Sequence, residues 1–430
     1  MCALAVAVTV GALAAVAAAA PDDGDLRLVV MLTRHGVRSP LQPNAELDKY
    51  SAQPWPQWPV APGVLTAHGN QQMVLMGQFY RELYGSQGLL AGRTEEDLSR
   101  IFFRADNDQR TIATAQALAA GLIPTAVPKV DARPEGQTDP LFRTVQVPVG
   151  NPDRPLGVAA VLGRLGGNPA LIDEECRPAI QALAHVLYGP TGAPAAGPAA
   201  YPGPGTTVQP GHGDHTAELT GTMSLSLRLT DALLLEYAEG MPMSEVGWGR
   251  LTPEGLTQLL QLHSQYFNLS SGTFYPAQAQ SSDLMDHILR TMDQAVTGQA
   301  QPGAFGNPAQ RLVILVGHDT NIINVGGILG LNWRLPGTQL NPVLPGGALI
   351  FELRQHRRDG QYFVRTLYVS QTLLQTRTLE PLSLKNPPAV APIFVPECSG
   401  TGPGFEAPLE RFRAVLRRVI DPNFVVPTSS

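Results

Sequence analysis

Three short apolar runs in this chain each end in a cluster of reactive side chains. Leu28-Val29-Val30-Met31-Leu32 leads into Thr33-Arg34-His35-Gly36-Val37-Arg38-Ser39-Pro40. Ile101-Phe102-Phe103 leads into Asp106-Asn107-Asp108-Gln109-Arg110-Thr111, and Leu312-Val313-Ile314-Leu315-Val316 into Gly317-His318-Asp319-Thr320-Asn321. Runs this short and continuously apolar predict strands buried on both faces. Helical spacing lies between them. Met73, Met76, Tyr80 and Leu83 fall on one face of a helix that starts at Thr66 and stops before Gly85; residues 112–120 form a second helix closed by Gly121. Further helices are predicted over 158–165, 178–188, 218–239, 253–267, 283–296, 322–329 and 405–420, and strands over 348–353 and 363–369.

The order is strand–helix alternation, then a mostly helical stretch, then alternation again. It predicts an α/β fold: one central sheet with helices on both faces, built from residues 25–129 and 305–430, with a mainly helical domain inserted over 130–304. Residues 43–62 carry five prolines with Trp55 and Trp58 and read as an irregular segment packed on the domain surface. Residues 189–213, rich in Gly, Pro and Ala, read as an exposed loop. The adjoining His212, Asp214 and His215 read as solvated rather than as metal ligands.

Composition narrows the classes. The chain has 430 residues, 43% hydrophobic and 15% charged, enough for a large core. Its 43 glycines and 39 prolines exceed the usual joint share of roughly 12% and indicate long loops. A net charge of −6 and the lack of any Lys/Arg block argue against nucleic-acid binding. The first twenty residues are small, apolar and uncharged, ending in Ala18-Ala19-Ala20, and read as a signal peptide for export to the periplasm or medium. No later segment is long and apolar enough to span a bilayer. Beyond that leader only Cys176 and Cys398 remain, which fit one disulfide or two separate thiols equally well.

Ligands of open α/β sheets bind at the carboxyl ends of the strands, which is where the three reactive clusters fall. A histidine flanked by arginines resists protonation, so His35 is expected to stay neutral and nucleophilic. Guanidinium groups suit a phosphoryl group, and phosphoryl transfer asks chiefly for positioning and charge stabilisation. The expected chemistry is attack of His35 on phosphorus, with phosphate contacts from Arg34, Arg38, Arg110 and His318 and a proton delivered by Asp319. Burial would favour the protonated form of Asp319 and the arginines the ionised one; the sequence leaves that balance open. Asp231, within a predicted helix, reads by itself as a surface or structural hydrogen-bond partner.

At Arg34–Pro40 and Gly317–Asn321 the chain resembles the histidine acid phosphatases, a branch of the histidine phosphatase superfamily. Trp55-Pro56-Gln57-Trp58, Gly240-Met241-Pro242 with Gly247-Trp248-Gly249, and Leu331-Asn332-Trp333 extend the likeness toward bacterial phytases and glucose-1-phosphatases. The resemblance implies a mixed sheet with a helical insert of the phosphoglycerate-mutase-like kind, a phosphohistidine intermediate, no cofactor and no metal. It implies a small-molecule phosphomonoester as partner and a monomer. It also makes Asp231 a substrate-side candidate, and Leu41, where phytases usually carry threonine and glucose-1-phosphatases a residue similar to leucine, a second lining position. The family is rich in disulfides, which this chain has almost entirely lost. The expectation is an exported acid phosphatase acting first on phytate. The alternatives are a sugar-phosphate phosphatase favouring glucose 1-phosphate, a mutase, which fits export poorly, and a phosphate-binding protein without turnover.

Overall fold

The computed structural model describes residues 24–149, 151–190 and 200–427; the leader read over residues 1–20 lies outside them. The described strands are β1 (Gly24–Arg34), β2 (Ile101–Ala105), β3 (Val130–Asp131), β4 (Thr207–Pro210), β5 (Ala217–Thr220), β6 (Leu312–Gly317), β7 (Ala348–His356), β8 (Tyr362–Ser370), β9 (Ala389–Ile393) and β10 (Ala407–Pro408). Eight form a mixed sheet in the order β10-β8-β7-β1-β6-β2-β3, with β9 also pairing β8. β1, β6, β2 and β3 run parallel, and β7, β8, β9 and β10 pair antiparallel on the other side of β1.

The two-residue period of β1 explains its central place. Leu28, Val30 and Leu32 enter one apolar cluster and Val29 and Met31 another, and all five are buried. The Val29–Met31 face is covered by helices Ala67–Ser86 and Gln109–Leu122. These two helices approach closely because glycines meet at their crossing. A Cβ on Gly77 would lie 2.3 Å from Leu118 O, and one on Gly121 2.2 Å from Val74 O. The opposite face packs on helices Phe274–Thr297, Asp319–Leu329 and Leu409–Val419. The same cluster continues into helices Arg177–Tyr188, Thr222–Ala238 and Pro253–Ser270.

Several elements differ from the sequence expectation. Part of the stretch read as exposed loop over 189–213 is β4, which pairs with β5 in an antiparallel hairpin; residues 191–199 lie outside the described part. The helix expected from 218 accordingly starts at Thr222, and the one expected from 283 starts at Phe274. A proline at its third position, Pro276, lies in the first turn, where its missing N–H is harmless. Cys176 and Cys398 are both free and buried. Among the described residues no helix is long and apolar enough to cross a membrane.

Glu236, on helix Thr222–Ala238, is 0% exposed. Its Oε2 accepts from Gly247 N at 3.0 Å, and its Oε1 has no partner. That bond holds a left-handed pair, Gly247 and Trp248, whose indole stacks edge-on against Trp55 at 4.9 Å and donates to Pro54 O at 2.8 Å. Burial pushes the Glu236 carboxyl up to about 8. Below the unfolded value near 4.5 both states are protonated; between there and about 8 only the unfolded chain ionises, so stability falls as pH rises. Glu236→Gln should therefore raise Tm at about pH 7.5, by a gain on the order of 1–3 kcal/mol, and leave it unchanged at about pH 4. Equal shifts at both pH values in a thermal melt would contradict this.

Candidate active site

Strand register brings the three reactive clusters together. Thr33 of β1 and Ala105 of β2 both face Val316 of β6, so the three strands end side by side. Beyond the strands the backbone continues the pairing: His35 N donates to Gly317 O at 3.1 Å, and Asp106 N to Val316 O at 3.0 Å. The Gly36–Val37 turn rests on the start of helix Ala67–Ser86. A Cβ on Gly69 would sit 2.0 Å from Val37 O, so only glycine admits this approach. Gly36 N donates to Thr114 Oγ1 and Val37 N to Gln72 Oε1, each at 3.0 Å.

His35 is 2% exposed. Its Nδ1 lies 2.9 Å from Gly36 O and must donate to that carbonyl, which leaves Nε2 as the unprotonated nitrogen. Burial, then Arg110, Arg38, Arg34 and His318, hold the ring well below the ordinary histidine value.

Arg34 is wholly buried. Its guanidinium donates to Val343 O at 2.6 Å and meets Asp231 Oδ1 at 3.2 Å and Asp319 Oδ2 at 3.0 Å. Arg38 donates to the other oxygen of Asp231 at 3.0 Å. Asp231 thus bridges two arginines of the first motif, and burial is outweighed by Arg38 and Arg34 so that its carboxyl stays ionised at lower pH than usual. Arg110, in the first turn of helix Gln109–Leu122, pairs with Asp108 at 2.6 Å and approaches His318 Nδ1 at 3.4 Å. Most telling are the atoms left over: the Nε–H groups of Arg34, Arg38 and Arg110 are all buried and have no acceptor. Buried donors in this state are costly unless a ligand supplies the oxygens.

Asp319 opens helix Asp319–Leu329, next to the N-cap His318. Burial pushes its carboxyl up, but Arg34 and then His263, His318 and Arg38 outweigh it and hold it at about 2. The balance left open by the sequence therefore falls on the ionised side in the unliganded protein. His318 Nε2 donates to Asp106 Oδ2 at 2.7 Å, a bond that fixes the ring and leaves Nδ1 toward Arg110.

His35, Arg38, Leu41, Arg110, Asp231, His318 and Asp319 border one cavity of about 450 Å³, and Arg34 lies beneath it. Leu41 stands at the rim, 51% exposed. The cavity also takes residues that the sequence reading did not single out. Arg143 joins Asp106 and Asp108 at 2.9 and 2.6 Å. His263 and Phe267, one helical turn apart, line the wall opposite the sheet, as does Arg228. In sequence these two ring residues look like an ordinary apolar helix face. Asp214 and His215, read as solvated, stand at the mouth because the β4–β5 hairpin folds over it. Asp106, Asp108 and His318 are close enough to share a cation, but Arg143 and Arg110 already occupy their carboxylates.

The family model described as histidine phosphatase superfamily (branch 2) matches residues 25–151 and 264–369. The chain is 33% identical over 389 residues to the phytase AppA of Escherichia coli (strain K12), covering 88% of this chain and 89% of that protein. It is 26% identical over 400 residues to a glucose-1-phosphatase of Providencia rettgeri, covering 91% of each. Its fold is similar to the solved structure of Hafnia alvei phytase in complex with tartrate, with a TM-score of 0.86 and 31% identity, covering 95% of this chain and 100% of the other.

The electrostatics of the cavity give a direct expectation for its central ring. In an NMR titration the His35 imidazole, assigned through His35→Asn, should stay neutral as pH falls through the ordinary histidine midpoint of about 6.5. A midpoint at or above that value would contradict the described environment.

Proposed function

The chain belongs to the histidine phosphatase superfamily, branch 2, and on that premise we propose that it is an exported acid phosphatase whose first substrate is phytate. The observation that carries the chemistry is the pairing of an unprotonated His35 Nε2 with three buried arginine Nε–H groups that lack acceptors. A phosphoryl group supplies what each side lacks: an electrophilic phosphorus for the imidazole and equatorial oxygens for the guanidinium groups.

In this reading His35 attacks phosphorus in line and forms a phosphohistidine as the ester bond breaks. Asp319 protonates the departing alkoxide, then takes a proton from the water that hydrolyses the phosphoenzyme. A carboxyl held at about 2 is a poor acid before substrate arrives. The bound phosphoryl charge opposes the field of Arg34 and Arg38, so the carboxyl rises in the complex, where its proton is needed. Arg110, held by Asp108, completes the phosphate contacts, and His318, fixed by Asp106, stands beside it.

The segment 130–304 supplies the leaving-group side of the cavity in this reading, through Asp231, His263, Phe267 and Arg228. Arg228 is exposed at the rim and has no carboxylate partner among the described residues. An unpaired cation outside the reacting centre favours a substrate with a further phosphoryl group, and so phytate ahead of glucose 1-phosphate. AppA and the Hafnia protein are phytases by name, which supports the same choice.

The test is kcat/KM for phytate, glucose 1-phosphate and p-nitrophenyl phosphate by the purified protein at about pH 4–6 with EDTA present, a range where a carboxyl acid and a neutral imidazole coexist. Phytate should rank first, and Arg228→Ala should lower its kcat/KM more than that of p-nitrophenyl phosphate. Absence of turnover by folded protein would refute the reading; glucose 1-phosphate in first place would refute the substrate. Asp319→Asn should slow alkyl phosphates by about 10²-fold or more and p-nitrophenyl phosphate far less, because a nitrophenolate leaves without a proton. Equal losses would remove Asp319 from that role.

A further inference from the structure

Helix Pro253–Ser270 presents a histidine that the phosphoryl chemistry above does not use. His263 is 4% exposed, and its ring packs edge-on against Phe267 with centroids 4.8 Å apart. A histidine buried only to fill space normally satisfies its ring nitrogens with neighbouring groups. Here Nε2 is buried and has no hydrogen-bond partner. Its nearest carboxylate oxygen, Asp231 Oδ1, lies 3.9 Å away, beyond hydrogen-bond reach, and already accepts from Arg34. The ring borders the same cavity as His35 and Asp319.

The position of the ring decides which part of a ligand it meets. Asp231 links His263 to Arg34, and Arg34 links Asp231 to Asp319. His263 lies close enough to Asp319 to be, after Arg34, the charge that acts most on that carboxyl, and it stands on the wall formed by helices Thr222–Ala238 and Pro253–Ser270. His318, Arg110 and Asp106 lie at the ends of β6 and β2, with the phosphoryl side of the site.

We propose that His263 Nε2 binds the leaving group of the substrate, through an oxygen on the carbon next to the ester carbon. This rests on the phosphatase reading above. That oxygen is a hydroxyl in glucose 1-phosphate and the ester oxygen of the neighbouring phosphate in phytate; a nitrophenyl ring offers neither. Burial and then Arg34 hold the imidazole down at about 4, so over most of the acid range the ring is neutral. A neutral imidazole exchanges one hydrogen bond with such an oxygen without placing a further charge beside Arg34.

The test compares the wild type with His263→Phe and His263→Gln on p-nitrophenyl phosphate and on whichever of glucose 1-phosphate and phytate the wild type turns over faster. His263→Phe should lower kcat/KM for the sugar or cyclitol ester about 10-fold more than for p-nitrophenyl phosphate, mainly through KM. His263→Gln, which keeps a donor and an acceptor, should recover most of that difference. The inhibition constant of inorganic phosphate, which has no leaving group, should change less than about 3-fold in either variant. Equal losses on both ester types, or no rescue by glutamine, would overturn the proposal and leave the ring a packing element. Absence of turnover by the wild type would instead refute the phosphatase reading itself.

Discussion

The buried guanidinium of Arg34 ties three distant parts of the chain to the end of β1. It donates to the carbonyl of Val343 and meets Asp231 from helix Thr222–Ala238 and Asp319 from the helix after β6. Enclosing such a charge carries a desolvation penalty of several kcal/mol, offset only where the counter-charges and hydrogen bonds are well placed. Removing one partner of such a pair typically costs about 3–5 kcal/mol. The site is therefore built into the fold: helix Thr222–Ala238, the start of helix Asp319–Leu329 and the loop before β7 each supply an anchor to one residue. Asp231 extends the arrangement to Arg38, so the two arginines of the first motif are aimed by the same carboxylate.

This electrostatic frame leaves the centre of the cavity unfinished. Carboxylates and the carbonyls of Val343 and Ser39 take terminal nitrogens of Arg34 and Arg38, and Asp108 takes one of Arg110, while the three Nε–H groups have no acceptor and the histidine ring stays neutral. Buried donors without acceptors are costly, and an anion in the cavity would supply the missing oxygens. The frame also holds the Asp319 carboxyl ionised in the unliganded protein, so that in the proposed reaction the charge of the ligand would have to raise it.

Much of the sheet was legible because β1 and β6 are buried on both faces over most of their length, and β2, half-buried on one face, still opens with Ile101-Phe102-Phe103, so all three appear as short apolar runs. The reactive residues were legible for the same reason: they follow those runs directly. The wall contributed by helix Pro253–Ser270 was not. His263 and Phe267 share a face with leucines and look like core, and whether a helix face meets solvent, protein or ligand depends on tertiary packing. The β4–β5 hairpin was hidden by its composition. β4 is only four residues, Thr207–Pro210, with mostly exposed side chains, so no apolar alternation marks it. Arg143 reaches the site through a single turn of helix, Pro140–Arg143, too short to carry a periodic signal.

The central claim is that His35 takes the phosphoryl group onto its ring. The direct test is acid-versus-alkali quenching during turnover, with the trapped phosphate located by mass spectrometry. A phosphorylated His35, stable to alkali and lost in acid, is the expected result, with no such species in His35→Ala. Phosphoenzyme that survives that substitution, or a label on any other residue, would contradict the account.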